Sequence, residues 1–187
     1  ENKPFRDLND ALWAEESIIA LYKKGIINGK AEEIFAPNDA ITRAEYTAIL
    51  ARAFALKTEE TVTQFEDVLP GQWYTEPIAA ATVQGVVKGF DERTFGVDAR
   101  ITRQDMMVML YRLLQAKNIT LETVRDAEAI TDIKEAGDYA VEAIQSMYSS
   151  GIVSGVEEGK IAPNATATRA EVARIVNEVL TKIDSME

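Results

Sequence analysis

The sequence predicts an all-α protein made of three helix-loop-helix repeats. A Thr-Arg motif recurs at intervals of 60 and 66 residues, with its arginines at Arg43, Arg103 and Arg169. Only residues 61–65 show the apolar–polar alternation that is typical of a strand. One helix pair cannot bury its apolar face alone, so we expect the copies to pack around a pseudo-threefold axis with three grooves between them.

The first helix of each copy lies between an aromatic residue and a glycine-bounded turn. Trp13, Trp73 and Tyr139 recur at the intervals of 60 and 66 residues, and so do the glycines that begin the turns at positions 25, 85 and 151. A glycine just after a helix is typical of a left-handed residue at its C-terminus. The pattern therefore predicts that each first helix ends at this turn.

The second helix of each copy has the clearest periodicity. Apolar residues occupy positions i, i+3, i+4, i+7 and i+8, starting from Tyr46, Met106 and Val172. This spacing puts them on one face of an amphipathic helix.

A threonine begins each second helix. Thr42, Thr102 and Thr168 fit the N-cap position, and an acidic residue follows three positions later in every copy. That pair predicts a capping box, which should be weaker in the second copy because the acid there is the shorter Asp105.

The three copies also define the predicted domain organisation. The longer second interval places most of its additional residues between positions 115 and 130, which indicates a linker. We expect modules at residues 1–57, 58–118 and 119–187, which together form one structural unit.

Composition excludes several functions. The net charge of −11 argues against nucleic acid and against an anionic membrane surface as partners. The chain has no cysteine and no histidine, which removes disulfides, thiolate chemistry and the commonest general base and neutral metal ligand. No apolar run approaches the length of a membrane span, and the first residues do not have the pattern of a signal peptide. We therefore expect a mature form or a fragment of a longer protein.

Three motifs together resemble the S-layer homology domain: Thr-Arg-Ala-Glu, the Gly-apolar-apolar-x-Gly turn, and Phe-x-Asp followed by tryptophan. The resemblance covers essentially the whole chain as three tandem modules. It implies a three-pronged spindle with a central three-helix bundle. Its grooves would bind secondary cell-wall polysaccharide noncovalently, commonly through a pyruvylated N-acetylmannosamine at the end of the polymer.

The same resemblance implies a location and a wider context. The chain would be secreted, would lie in the cell wall or S-layer of a Gram-positive bacterium, and would be continuous with a larger surface protein. The sequence departs from the family pattern at Thr-Arg-Gln-Asp in the second copy and at Ile130, Tyr139 and Ile161 in the third. We therefore expect the three grooves to differ in affinity.

The repeated arginines are the central candidates for ligand binding. Each directly follows an N-cap, where the partial positive charge of the helix makes a cation unfavourable by about 0.3–1 kcal/mol. A bound carboxylate would resolve this conflict, because a guanidinium can bind a carboxylate with two parallel hydrogen bonds. Free N–H groups at the helix start could add donors. The alternative is a structural ion pair with a carboxylate of a neighbouring copy.

The other candidates also have two interpretations each. The aromatic residues would cover the C–H face of a sugar or anchor the core. The aspartates would accept hydrogen bonds from the sugar or form turns. The glycine turns would contact ligand through their polar residue, although their glycines are structural first. The candidate ligand-binding residues are Arg43, Arg103, Arg169, Asp7, Asp67, Asp132, Trp13, Trp73, Tyr139, Gly29, Gly89, Gly155, Asn28, Lys88 and Ser154.

Each groove is expected to combine an arginine of one copy with the aspartate and the aromatic residue of the next copy. The predicted groupings are Arg43 with Asp67 and Trp73, Arg103 with Asp132 and Tyr139, and Arg169 with Asp7 and Trp13.

Catalysis is the main rival class of function, and the sequence argues against it. No carboxylate pair stands apart from the repeat, and there is no nucleotide-binding fingerprint. No calcium-binding loop is present either, so we expect no enzyme activity, no cofactor and no metal site. A protein-interaction scaffold that uses the same grooves remains an alternative.

Overall fold

The computed structural model describes residues 3–186, and within this range it contains six α-helices and no β-strand. This confirms the all-α prediction. The helices are α1 (Leu12–Lys23), α2 (Arg43–Ala53), α3 (Thr75–Val83), α4 (Arg103–Ala116), α5 (Val141–Ser149) and α6 (Arg169–Asp184). Short 3₁₀ helices span Leu8–Ala11, Ala127–Ala129, Ile133–Glu135 and Asp138–Ala140. No helix among the described residues is long and apolar enough to cross a membrane.

The predicted N-caps begin the second helix of every copy. The Oγ1 atoms of Thr42, Thr102 and Thr168 each accept a hydrogen bond from the backbone N–H three residues on. Glu45 completes the capping box at α2 by accepting from the N–H of Thr42 at 3.3 Å. The boxes expected at α4 and α6 were wrong, since only the threonine half of the box is present there. At α6 the carboxylate of Glu171 instead forms a close 2.7 Å pair with Arg103.

The glycines that follow the first helices adopt the predicted left-handed conformation. Their φ angles are 69° at Gly25, 72° at Gly85 and 77° at Gly151. A residue with a side chain would be strained there, which explains why all three copies turn on glycine.

Helices from different copies pack together in a cyclic order. α3 packs on α2, α5 packs on α4, and α1 packs on α6. Each first helix therefore lies against the second helix of the preceding copy, and the third copy closes onto the first. One copy cannot bury its apolar stripe without the next one.

A ring of backbone hydrogen bonds joins the three copies just before the second helices. The N–H of Ile41 donates to the carbonyl of Ala167 at 3.3 Å, that of Ala167 to Ile101 at 3.0 Å, and that of Ile101 to Ile41 at 2.9 Å. All three residues are fully buried. Because each residue donates once and accepts once, the ring closes only with all three copies present.

The second helices are buried on most of their surface over their first turns. The hydroxyl of Tyr46 in α2 donates to the carbonyl of Met106 in α4 at 2.9 Å, and burial raises the pKa of Tyr46. Nothing in these contacts conflicts with the predicted central three-helix bundle. The module boundaries after residues 57 and 118 fall between helices and stay a prediction.

Candidate functional site

Three grooves lie where the copies meet, and each is lined by residues of all three copies. A groove contains the Thr-Arg arginine of one copy, the glycine turn and second helix of the next, and the aromatic residue of the copy after that. We name each groove after its aromatic residue. The Trp73 groove includes Arg169, Asn28, Gly29, Glu45, Arg52 and Trp73. The Tyr139 groove includes Arg43, Lys88, Gly89, Phe90, Asp105, Arg112 and Tyr139. The Trp13 groove includes Arg103, Ser154, Gly155, Val156, Glu171, Arg174 and Trp13.

The grouping of arginines and aromatic residues expected from the sequence was wrong. Arg43 shares a groove with Tyr139 rather than with Trp73. Its side chain reaches the loop and glycine turn of the second copy, whereas Trp73 lies beside Ile49 and Arg52 farther along α2. The same shift brings Arg169 to Trp73. It likewise brings Arg103 to Trp13.

The three arginines are buried and reach into the loop of the next copy. The Nε–H of Arg43 donates to the carbonyl of Phe95 at 3.0 Å. Arg103 and Arg169 make the equivalent bonds to Ile161 at 2.7 Å and to Phe35 at 2.9 Å. The bond from Arg169 to Phe35 joins the third copy to the first, 134 positions apart in sequence. It adds to the packing of α1 on α6, which also joins these two copies.

Two of these arginines also hold the glycine turn of the next copy. Nη2 of Arg43 donates to the carbonyl of Lys88 at 2.8 Å, and Nη2 of Arg169 donates to that of Asn28 at 2.6 Å. Between residues 3 and 186, no such bond joins Arg103 to Ser154. The turn at Gly155 differs in its backbone as well, with a φ of 93°.

Each arginine is also paired with an acid of the next copy, as the structural alternative predicted. Arg43 Nη1 lies 3.4 Å from Asp105, and Arg169 Nη1 lies 3.5 Å from Glu45. Arg103 Nη1 is closer to Glu171, at 2.7 Å. Five N–H groups are available on a guanidinium, and at most three are used here, so each arginine keeps donors for a ligand in its groove.

Burial affects the pKa of two of these arginines, which remain charged. Desolvation lowers the pKa of Arg43 and of Arg169, while Asp105 and Glu45 respectively act in the opposite direction. A further anion in the groove would offset the same desolvation.

The backbone N–H groups at the helix starts are not free for a ligand, contrary to expectation. The N–H of Arg43 donates to Ala99 at 2.8 Å, and that of Arg103 donates to Ala165 at 2.8 Å. The N–H of Arg169 donates to Asp39 at 2.9 Å. The loop of the next copy therefore satisfies donors that a helix start otherwise leaves unpaired.

The three aspartates do not form local turns but hold the loop before the second helix of their own copies, 28 to 30 residues later. Asp7 accepts from the N–H groups of Phe35 and Ala36 at 2.9 and 2.7 Å. Asp67 and Asp132 make the same pair of bonds in their own copies. None of the three lies among the groove residues. Their role is to position the loop whose carbonyl accepts a hydrogen bond from the arginine.

The pKa of Asp67 reflects its hydrogen bonds to this loop. Burial alone would raise the pKa of its carboxyl, but backbone hydrogen bonds from Phe95, Val97 and Gly96 outweigh burial and lower the pKa below the usual value. The ionised carboxylate therefore stabilises the loop.

The aromatic residues are exposed, so the core-anchor interpretation was wrong. The exposed fraction is 53% for Trp13 and 58% for both Trp73 and Tyr139. Tyr139 also donates its hydroxyl to Asp105 at 2.6 Å, across the groove. Burial, followed by this hydrogen bond, raises the pKa of Tyr139 to about 12. Exposed rings beside buried cations are suited to a ligand with both an apolar face and a negative charge.

The second glycines of the turns line the grooves and are required by packing. A Cβ at Gly29, Gly89 or Gly155 would lie within 3.0 Å of a backbone oxygen of its own turn. Asn28 and Lys88 are exposed in the adjoining polar position, as is Ser154.

Sequence reasoning missed a second arginine in each groove. Arg52 and Arg112 each lie nine positions after the Thr-Arg arginine of their own copy, so a longer repeat comparison would have found them. In the third copy the second arginine is Arg174, which lies one helical turn nearer the start of α6 than that offset would place it. Its Cζ lies 5.9 Å from the centre of the Trp13 ring. Basic residues therefore outnumber acidic ones in every groove, although the chain as a whole is acidic.

The grooves are small. Their volumes are about 240 Å³ for the Trp73 groove, 320 Å³ for the Trp13 groove and 380 Å³ for the Tyr139 groove. The Trp73 groove lies below the usual range for small-molecule sites, about 300–1,000 Å³, and the other two lie at its lower end. They suit a short terminal unit better than a long polymer segment.

Comparisons with known proteins agree with this repeat organisation. The family model of the S-layer homology domain matches three segments of the chain: residues 4–47, 64–107 and 129–173.

Relatives include an enzyme and S-layer proteins. An amylopullulanase of Thermoanaerobacterium thermosulfurigenes is 33% identical over 97% of this chain, which covers 10% of that protein. S-layer proteins of Bacillus thuringiensis subsp. finitimus and Bacillus licheniformis are 30% and 32% identical over 93% of this chain, which covers 21% and 19% of those proteins. The chain thus spans about a tenth to a fifth of the length of these relatives.

Replacing Arg169 with glutamine should lower the free energy of unfolding by about 2–4 kcal/mol, because buried carbonyls and a carboxylate lose their partner. Urea unfolding followed by circular dichroism measures this change. Arg93→Gln is the matched control, since Arg93 forms only an exposed pair with Glu66 and its loss should cost less than about 1 kcal/mol. Equal effects of the two substitutions would contradict the structural role of Arg169.

Replacing Asp67 with asparagine should reduce the dependence of stability on acid pH. The folded-state pKa of Asp67 is lowered, so its stabilisation is present above the ordinary pKa and is lost as pH falls through the folded value. Unfolding measured between about pH 5 and pH 2 should show a shallower loss in Asp67→Asn than in the parent. Parallel curves for the two proteins would exclude this account of Asp67.

Proposed function

The chain belongs to the S-layer homology domain family, and we propose that it attaches a larger exported protein noncovalently to the bacterial cell wall. The three matched segments make up most of the chain. Its coverage of only part of each relative favours a role as one module among others. The proposed location is the cell wall or S-layer of a Gram-positive bacterium.

The proposed ligand is secondary cell-wall polysaccharide that ends in pyruvylated N-acetylmannosamine. The observation that carries this proposal is the pairing, in each groove, of a buried arginine with an exposed aromatic ring. A pyruvate ketal supplies a carboxylate for the guanidinium, and the pyranose supplies a C–H face for the ring. The small volumes favour the end of the polymer over its middle.

The groove acids take the hydrogen-bonding role that the sequence suggested for Asp7, Asp67 and Asp132. Glu45, Glu171 and Asp105 line the grooves and can accept hydrogen bonds from sugar hydroxyls or an acetamido N–H. The aspartates would act indirectly, by positioning the loops whose carbonyls accept hydrogen bonds from the arginines. Asn28, Lys88 and Ser154 add polar contacts at the turn.

The three grooves should act together on the wall. A polymer-coated surface presents many polymer ends. Once one groove is occupied, a second groove would meet another polymer end at a high local concentration. Modest affinity in each groove is then sufficient for stable attachment. The same geometry argues against catalysis as the alternative function, since the acids in the grooves are already paired with arginines.

The grooves should not contribute equally. Glu171 lies 2.7 Å from Arg103 and forms the closest of the three ion pairs, whereas the corresponding acids lie 3.4 and 3.5 Å from Arg43 and Arg169. A ligand carboxylate meets a stronger competitor in the Trp13 groove than in the other two. We therefore rank the Trp13 groove as the weakest.

Calorimetry with a pyruvylated N-acetylmannosamine glycoside and its pyruvate-free analogue tests the ligand. The pyruvylated sugar should bind at least about tenfold more tightly, because a hydrogen bond to a charged group contributes about 1.5–3 kcal/mol. Equal affinities would exclude the carboxylate as the recognised group. Retention on purified walls after extraction of the secondary polymer would instead favour a protein partner.

The ranking of grooves is tested by comparing Arg43→Gln with Arg103→Gln in the same titration. Arg43→Gln should remove a tight binding event, whereas Arg103→Gln should leave the tight events and their stoichiometry unchanged. Circular dichroism of both variants verifies that each is folded before the comparison. A larger loss from Arg103→Gln would reverse the ranking.

A further inference from the structure

The Tyr139 groove carries more positive charge than the other two grooves. Arg43, Lys88 and Arg112 line it together with a single acid, Asp105. The other grooves have two arginines against one glutamate. The difference lies in the glycine turn, where the first and third copies have an uncharged residue in place of lysine.

The single acid of this groove is shared between two partners. Oδ1 of Asp105 accepts the hydroxyl of Tyr139 at 2.6 Å, while Oδ2 lies 3.4 Å from Arg43. A neutral donor thus occupies one end of the carboxylate. Tyrosine at this position, in place of tryptophan, supplies that donor.

Lys88 and Arg112 have no ion-pair partner anywhere in residues 3–186. The corresponding cations elsewhere are engaged: Arg52 donates to the carbonyl of Ile26, and Arg174 lies over the ring of Trp13. Two positive charges in the Tyr139 groove are therefore available to a ligand.

These two charges lie at different places along the groove. Lys88 belongs to the turn that Arg43 holds through a 2.8 Å hydrogen bond, so these two cations share one end. Arg112 follows Asp105 by seven residues on α4, which is two helical turns or on the order of 10 Å along the axis. The groove therefore presents cations from two separate elements, the glycine turn and α4.

We propose that the Tyr139 groove selects a glycan end that carries two separate negative charges. The terminal carboxylate binds at Arg43 and Lys88, and a second anionic group on the following sugar binds at Arg112. The exposed rings of Phe90 and Tyr139 cover sugar faces between these points. This inference rests on the proposed function, since it assumes that the grooves bind anionic wall glycan.

Titration calorimetry of the whole chain with two disaccharides tests the proposal. Both disaccharides end in pyruvylated N-acetylmannosamine; the second residue is a hexuronic acid in one and the matching neutral hexose in the other. The dianionic probe should bind one site per chain about tenfold more tightly than the monoanionic probe, with a preference that falls as salt is raised.

The double variant Lys88→Gln with Arg112→Gln should lose this preference and keep its binding of the monoanionic probe at the other grooves. Lys117→Gln removes an exposed charge next to α4 but outside the grooves, and it should keep the preference. Equal affinity of the parent for the two probes, or an unchanged preference in the double variant, would overturn the dianion proposal while leaving wall binding intact. Binding of neither probe by the parent would overturn the proposed function as well.

Discussion

Each second helix begins at a boundary between copies, and its first N–H groups must find partners there. In this protein the partners are loop carbonyls of the next copy, as in the 2.8 Å bond from the N–H of Arg43 to Ala99. Buried backbone donors are costly to leave unpaired, so this requirement fixes how neighbouring copies meet. The hydrogen-bond ring of Ile41, Ala167 and Ile101 meets the same requirement once for each copy. A chain with one copy fewer would leave a donor and an acceptor open.

The same boundary produces the grooves. Each arginine must cross it to reach the loop carbonyl, and it thereby brings a buried positive charge to the edge of a cleft. The aspartate of the next copy positions that loop by accepting hydrogen bonds from two of its backbone N–H groups. The groove is thus a consequence of closing the ring, and a single arginine serves both the fold and the proposed ligand. Stability and binding are therefore coupled at these positions.

Repeat spacing was sufficient to predict the helices, the threonine caps and the left-handed glycines, whereas ligand binding by the arginines stays a prediction. It did not predict which copies meet, because periodicity reports the face that a helix buries and not the helix that covers it. Trp73 was for this reason assigned to the wrong arginine. The capping box at Glu171 failed for a related reason, since a guanidinium from another copy competes for that carboxylate at 2.7 Å. Arg52 and Arg112 were missed although they share a nine-residue offset from the Thr-Arg arginine, and Arg174 departs from that offset.

The central claim is that each groove is shared by three copies, and the two tryptophans of this chain allow it to be measured. Titration of the ¹⁵N-labelled chain with the pyruvylated sugar, followed by NMR, resolves the two indole N–H signals and the turn amides. The account predicts that the Trp73 indole and the Gly29 amide shift together with one midpoint, because both line the same groove. Movement of the Trp73 indole together with Gly89 of its own copy, and not with Gly29, would contradict it.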